Sequence, residues 1–331
     1  MSLTIEEVPF GGWARNLRLA NNTVELIITL DVGPRIIRFA PLGGRNVFKE
    51  FAEMLGGTGE AEWMIRGGHR LWTAPEGAHS YAPDNTPVTY SRPDDTSVEI
   101  ESRNDTFGFT KTLTIELQPS EPGPAPVAGG PVNPGGRVKV THTLGNVGEK
   151  PLDITPWSLS VMAPGGTAII PQPPFMPHPT EAPPADPSVP PQPVNYDDFL
   201  PNRNLILWPF TVLSDPRYTM GRDFWVVRHQ DGAPATKFGI LHKQGWVAYQ
   251  LGDMVFSKKV PYVPGAEYPD GGVNFELFTN TAILELECLS PLGALQPGDT
   301  RTLVELWRLD ATPGDLSNPE TAAAFFHGLG D

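Results

Sequence analysis

The chain has 331 residues and an acidic balance, 24 Lys and Arg against 38 Asp and Glu, for a formal net charge of −14. A field of that sign repels phosphate backbones, and no basic cluster denser than Lys258-Lys259 offsets it, so nucleic acid is excluded as a partner. With 39% hydrophobic and 9% aromatic residues the chain buries a sizeable core, which excludes wholesale disorder.

From the N-terminus, residues 1–12 lack both a cationic start and an apolar leader segment, and nowhere do about 18 apolar residues run together. This predicts a soluble, cytoplasmic protein with no membrane partner; secretion after removal of a leader stays open. The 34 glycines and 38 prolines break the chain into short runs of β-branched or alternating residues, which predicts strands rather than long helices. Candidate strands are 23–30, 97–102, 108–117, 137–145, 204–211, 224–229, 237–242, 245–250, 273–278, 281–288 and 301–309. In the third of these, Leu113, Ile115 and Leu117 face one way and Thr112, Thr114 and Glu116 the other, as in a sheet with one buried face.

Two stretches are loops by composition: 118–136, and the proline-rich 171–193 inside a longer insertion, 163–203. The lone Cys288 excludes an internal disulfide and reads as a small buried hydrophobe. Only the tail reads as helix, with Asn318 as cap, Pro319 in the first turn, an apolar face over 322–326 and Gly328 as its end. Strands from start to finish without helical crossovers predict an all-β chain: one large antiparallel β-sandwich domain over 1–331, with a short C-terminal helix.

Polar residues concentrate in two places. Segment 63–85 carries Arg66, His69, Arg70, Trp72, Glu76, His79, Tyr81 and Asp84 around Gly67-Gly68, whose backbone freedom allows a sharp bend and close approach to a ligand. Indole faces stack on sugar rings, and guanidinium and imidazole groups bond hydroxyls, so the segment is a candidate carbohydrate site. The plain alternative pairs Arg66 with Glu62 or Glu76 and gives Trp72 to the core. The second place is strand 281–288, where Leu284 and Leu286 alternate with Glu285 and Glu287; with the leucines inward, both glutamates share the other face, roughly 7 Å apart. Lining a cleft, they become candidate bases; on open surface they are only solvated charges. No zinc spacing, phosphate loop or nucleophile elbow occurs.

The residues IRGGHRLWTAPEG at 65–77, YPDGGVNFELFTN and LELECLSPLGALQPGDTRTLVELWRL resemble segments of glucose-6-phosphate 1-epimerase-like proteins in the aldose 1-epimerase, or galactose mutarotase-like, superfamily. The resemblance implies a large antiparallel sandwich holding a small-molecule sugar in a cleft on its concave sheet. It implies Arg66 as a sugar-binding arginine, Glu287 as general base and His69 or His79 as general acid, with no metal or other cofactor. Trp157, in DITPWSLSVM, stands where that family carries a second histidine. Arg70, Trp72, Glu76 and Trp157 then hold the sugar, and Asn274 and Glu276 add hydroxyl contacts. Two alternatives stay open: a non-catalytic sugar-binding module, and a polysaccharide lyase or hydrolase using Glu285 and Glu287. A monomer or weak homodimer is expected.

Overall fold

The computed structural model describes residues 3–119, 135–178 and 196–330. Among them, alternating and β-branched runs pair into two ten-stranded sheets, antiparallel throughout. The first sheet runs, edge to edge, β1 (Thr4–Phe10), β2 (Trp13–Ala20), β3 (Val24–Thr29), β4 (Arg35–Pro41), β5 (Gly68–Ala74), β10 (Thr155–Met162), β19 (Leu284–Leu289), β18 (Phe275–Thr279), β15 (Thr236–Ile240) and β12 (Ile206–Leu207). The second runs β13 (Tyr218–Met220), β14 (Phe224–Arg228), β11 (Thr167–Pro171), β16 (Trp246–Leu251), β17 (Met254–Lys259), β20 (Thr300–Ala311), β9 (Gly136–Asn146), β8 (Phe109–Leu117), β7 (Ser97–Asn104) and β6 (Thr89–Ser91).

The inner faces meet in one apolar cluster that draws Leu26, Ile28, Leu71, Leu277 and Leu286 from the first sheet and Ile115, Val140, Phe256 and Leu309 from the second. Phe39, Phe48, Phe256 and Trp307 interlock at its centre, with ring centroids 5.5 to 6.2 Å apart. Full burial of each such large side chain stabilises the sandwich by roughly 1.5–3 kcal/mol, which is what holds two sheets with no disulfide between them. The all-β sandwich expected from the sequence is the architecture observed.

Among the described residues α-helix is confined to a four-residue turn, α1 (Pro269–Gly272), and the C-terminal α2 (Pro319–Leu329), where the Asn318 side chain accepts from the Glu320 and Thr321 amides; Ala52–Met54 and Tyr196–Phe199 form single 3-10 turns. Helix α2 runs through Gly328 and stops at Gly330, which takes the left-handed φ of +73° that ends it. No helix among the described residues is long and apolar enough to cross a membrane.

Several strands escape a pattern reading. β5 and β10 are buried at every position, because one face meets the second sheet and the other meets a cleft; β5 shows no clear alternation, and the alternation of Trp157-Ser158-Leu159-Ser160-Val161 in β10 is inverted, with the serines facing the second sheet. Thr167–Pro171, inside the stretch expected as a loop insertion, is strand β11, with Ala168, Ile169 and Ile170 buried. Most of the two proline-rich loop readings lies outside the described residues.

Candidate functional site

Strands β5, β10, β19, β18 and β15 are consecutive neighbours, and alternation sorts their side chains onto two faces. His69, Leu71, Ser158, Ser160, Leu286 and Cys288 go inward. Arg70, Trp72, Trp157, Leu159, Glu285, Glu287, Phe278 and Lys237 go outward and line a cleft of about 330 Å³, with Trp63, Glu76, Tyr81, Trp208 and Phe210 from the adjoining loops completing its lining. One cross-strand row reads Arg70, Leu159, Glu287, Glu276, so residues more than two hundred positions apart meet by register.

Charges that the strands bring to the cleft are paired. The Lys237 ammonium sits 2.6 Å from Glu276 and 3.1 Å from Glu287, and rests 4.8 and 4.6 Å from the ring centres of Trp157 and Trp208. Burial opposes its charge, but the Glu287 and Glu276 carboxylates outweigh burial and hold it above the ordinary lysine range. Glu276, the most deeply buried of the three, is pushed well upward by desolvation despite that lysine. Glu287 also accepts from Trp157 Nε1 at 3.0 Å. Arg70 donates to Glu285 at 3.1 Å and lies over the rings of Trp63 and Trp72, 5.0 and 4.6 Å from their centres. Burial raises the Glu285 carboxyl, and Arg70 pulls it back only in part.

Several N–H groups on this wall lack an acceptor: Arg70 Nε and Nη1, Trp63 Nε1 and Trp72 Nε1 are buried without a hydrogen-bond partner. Each unmatched buried donor costs about 1–3 kcal/mol, and these groups donate only.

Of the residues expected at a sugar site, Glu287, Arg70, Trp72, Glu76 and Trp157 line the cleft together, and Glu276 adjoins it through Lys237. The other four lie elsewhere. Arg66, with a left-handed φ of +49°, is fully buried and donates to Glu60, Asn85 and the Met54 carbonyl; its partner is Glu60, not Glu62 or Glu76. His79 bonds Thr73 Oγ1 at 2.7 Å and meets the edge of Phe107. Asn274 pins backbone, bonding the His242 amide and carbonyl and the Pro261 carbonyl. Gly67 and Gly68 approach the chain itself: a Cβ on either would overlap the carbonyl of Lys49 or of Ile36.

His69, one residue before Arg70, faces the other way and joins a polar cluster between the sheets. His142 Nδ1–H donates to the Leu303 carbonyl at 3.0 Å, so His142 Nε2 accepts from His69 Nε2–H at 2.6 Å and His69 Nδ1 accepts from Ser160 at 2.9 Å. Lys258 and Glu305 form a fully buried pair at 3.0 Å beside them. Desolvation would raise the Glu305 carboxyl, but Lys258 outweighs it and keeps the group ionised; desolvation pushes both imidazoles down, to the neutral form. Ligand atoms of His69, His142 and Glu305 lie within 4.8 Å of one another, but the Lys258 ammonium already supplies the cation that Glu305 needs.

Lys237, Trp63 and Trp208 were not candidates from sequence. The signal for Lys237 was present: with Phe238 and Ile240 buried, alternation puts residue 237 on the opposite face, and only the sheet order brings it to Glu287.

No protein-family model matches the chain. No curated protein matches it either. Solved structures do. A TPR-domain containing protein from Parabacteroides distasonis superposes with a TM-score of 0.56 at 14% identity over 92% of this chain and 48% of its own, so this chain spans about half its length. A candidate aldose 1-epimerase from Klebsiella pneumoniae gives 0.53 at 13% identity, covering 98% of this chain and 86% of that one. A galactose mutarotase-like protein from Lactobacillus casei gives 0.51 at 10% identity, covering 89% and 99%. At such identities the likeness establishes the fold, the large sandwich of galactose mutarotase-like proteins.

Proposed function

We propose that a protein with this fold, in which a cleft on the outer face of the first sheet carries indoles and paired charges, binds a carbohydrate there. The observation that carries the reading is the set of donors on the β5 side, Arg70 Nε and Nη1 with the indole N–H groups of Trp63 and Trp72, which have no acceptor among the described residues. Sugar hydroxyl and ring oxygens accept such donors, while Trp63 and Trp208, the half-buried indoles of the lining, offer ring surface to the apolar side of a pyranose ring. Carboxylates Glu285 and Glu287 take the ligand's hydroxyl protons as acceptors.

A second reading, interconversion of sugar anomers as an aldose 1-epimerase, is favoured by Glu287, a buried carboxylate at the centre of the lining. Glu287 would take the anomeric hydroxyl proton as the ring opens. No imidazole lines the cleft among the described residues, so the ring oxygen would be protonated by water, and rate enhancement would rest on the base alone, roughly 10²- to 10⁴-fold.

Titration calorimetry against a panel of hexoses tests the first reading, and polarimetry of freshly dissolved α-hexoses the second. Trp208→Ala is expected to weaken binding at least tenfold. Glu287→Gln is expected to abolish any faster equilibration. If no saccharide binds, the carbohydrate reading falls; if sugars bind and the anomers equilibrate no faster than in buffer, the protein is a binding module.

A further inference from the structure

On the basis of that carbohydrate reading, we propose that the cleft takes a neutral glycan chain of several units rather than a free or phosphorylated monosaccharide. Size and charge both point there.

The lining draws on five adjacent strands, from Arg70 on β5 to Lys237 on β15. At a spacing of about 4.8 Å between strands, the sheet beneath the cleft is about 19 Å wide between its outer strand axes, more than one pyranose ring. An aromatic ring stands at each end, and both are open to solvent. Tyr81, 47% exposed, rests its ring against Trp63 and Trp72 on the β5 side. Phe210, also 47% exposed, follows β12 and packs against Phe278 on β18. The two open rings extend the apolar surface of the lining at either end, and a ligand that stacks on both is longer than one sugar ring.

Charge sets the second limit. Arg70 and Lys237 are the basic side chains of the lining, and each is already matched, Arg70 by Glu285 and Lys237 by Glu276 and Glu287. Glu76, bonded to the Tyr81 hydroxyl, adds a carboxylate with no cation of its own. Among the described residues, a phosphate or uronate entering here meets three lining carboxylates, with Glu276 behind them, against two cations that each already carry a carboxylate partner, an arrangement that disfavours it. Hydroxyl groups need no cation; they need donors and acceptors, and the walls hold both.

The test is titration of the whole chain with neutral gluco-, manno-, galacto- and xylo-oligosaccharides of one to six units, with glucose, glucose 6-phosphate and glucuronate alongside. In at least one neutral series Kd is expected to fall tenfold or more between one unit and six, with glucose 6-phosphate and glucuronate binding no better than glucose. Tyr81→Ala and Phe210→Ala should each weaken the six-unit ligand more than the one-unit ligand, collapsing that ratio. Monosaccharides binding as tightly as every oligomer, or glucose 6-phosphate binding more tightly than glucose, would overturn the proposal while leaving carbohydrate binding intact. Failure of every saccharide, short and long, removes the carbohydrate reading together with it.

Discussion

At the scale of single residues, Lys237 decides whether the cleft holds together. It is the shared counterion of two carboxylates that are almost wholly buried, and a charge left unmatched in such a place costs far more than a surface ion pair gains. Lys237→Met should therefore lose about 3–5 kcal/mol at neutral pH. The loss depends on pH with a definite sign. Burial already lifts Glu276 above its unfolded value, and removing the lysine lifts it further, so the folded variant binds a proton that the unfolded chain releases. That contribution is full below the unfolded carboxylate value and is lost as pH rises through the folded one. Urea denaturation should find the deficit of the variant relative to wild type smaller at pH 5 than at pH 8, and a deficit that does not change with pH would mean that water reaches both carboxylates. The same scale shows how far a resemblance carries: Glu287, Arg70 and Trp72 reach the cleft, while Arg66 spends its guanidinium on Glu60 and Asn85 and stays buried.

At the scale of elements, β19 shows the two faces of one strand doing different work. Leu284 and Leu286 pack in the inter-sheet core while Glu285 and Glu287 line the cleft. Leu286→Ala is expected to cost about 2–5 kcal/mol by leaving a cavity. Because Leu286 points away from the cleft, the folded fraction of that variant should keep the wild-type Kd for whichever saccharide the protein binds. A calorimetric Kd that worsens in step with the stability loss would show the two faces to be coupled. Alternation in the sequence is enough to separate the leucines from the glutamates, but it is silent on β5 and points the wrong way on β10, whose serines face the second sheet. Both faces of those strands are buried, so His69 and Arg70 looked equally fit for the site. Only the inward packing of His69 on Ser160 and His142 tells them apart.

At the scale of the whole molecule, the sandwich hides imidazoles and so acquires an acid limit. His69, His142 and His242 are buried, and desolvation lowers all three, His242 to about 4. The unfolded chain takes up protons near 6.5 that the folded chain refuses. Stability is thus full above about pH 6.5 and falls as pH drops toward 4, through the depressed folded values. His242→Gln should flatten that limb by about 1.4 kcal/mol per pH unit, read from denaturation midpoints at pH 4.5, 5.5 and 6.5. An unchanged slope would mean that His242 is protonated in the folded state.

The sequence by itself determined the class of fold, because hydrophobic alternation, proline and glycine punctuation and the lack of helical periodicity are local properties that any sheet must satisfy. It also determined that Glu285 and Glu287 share a face, since the period of a strand is fixed by the backbone. What occupies the cleft wall opposite them was settled only by tertiary structure. Strand order and register carry no local signature, and it is register that brings Lys237 on β15, Trp157 on β10 and Arg70 on β5 to one carboxylate-bearing strand while turning His69 into the dry core.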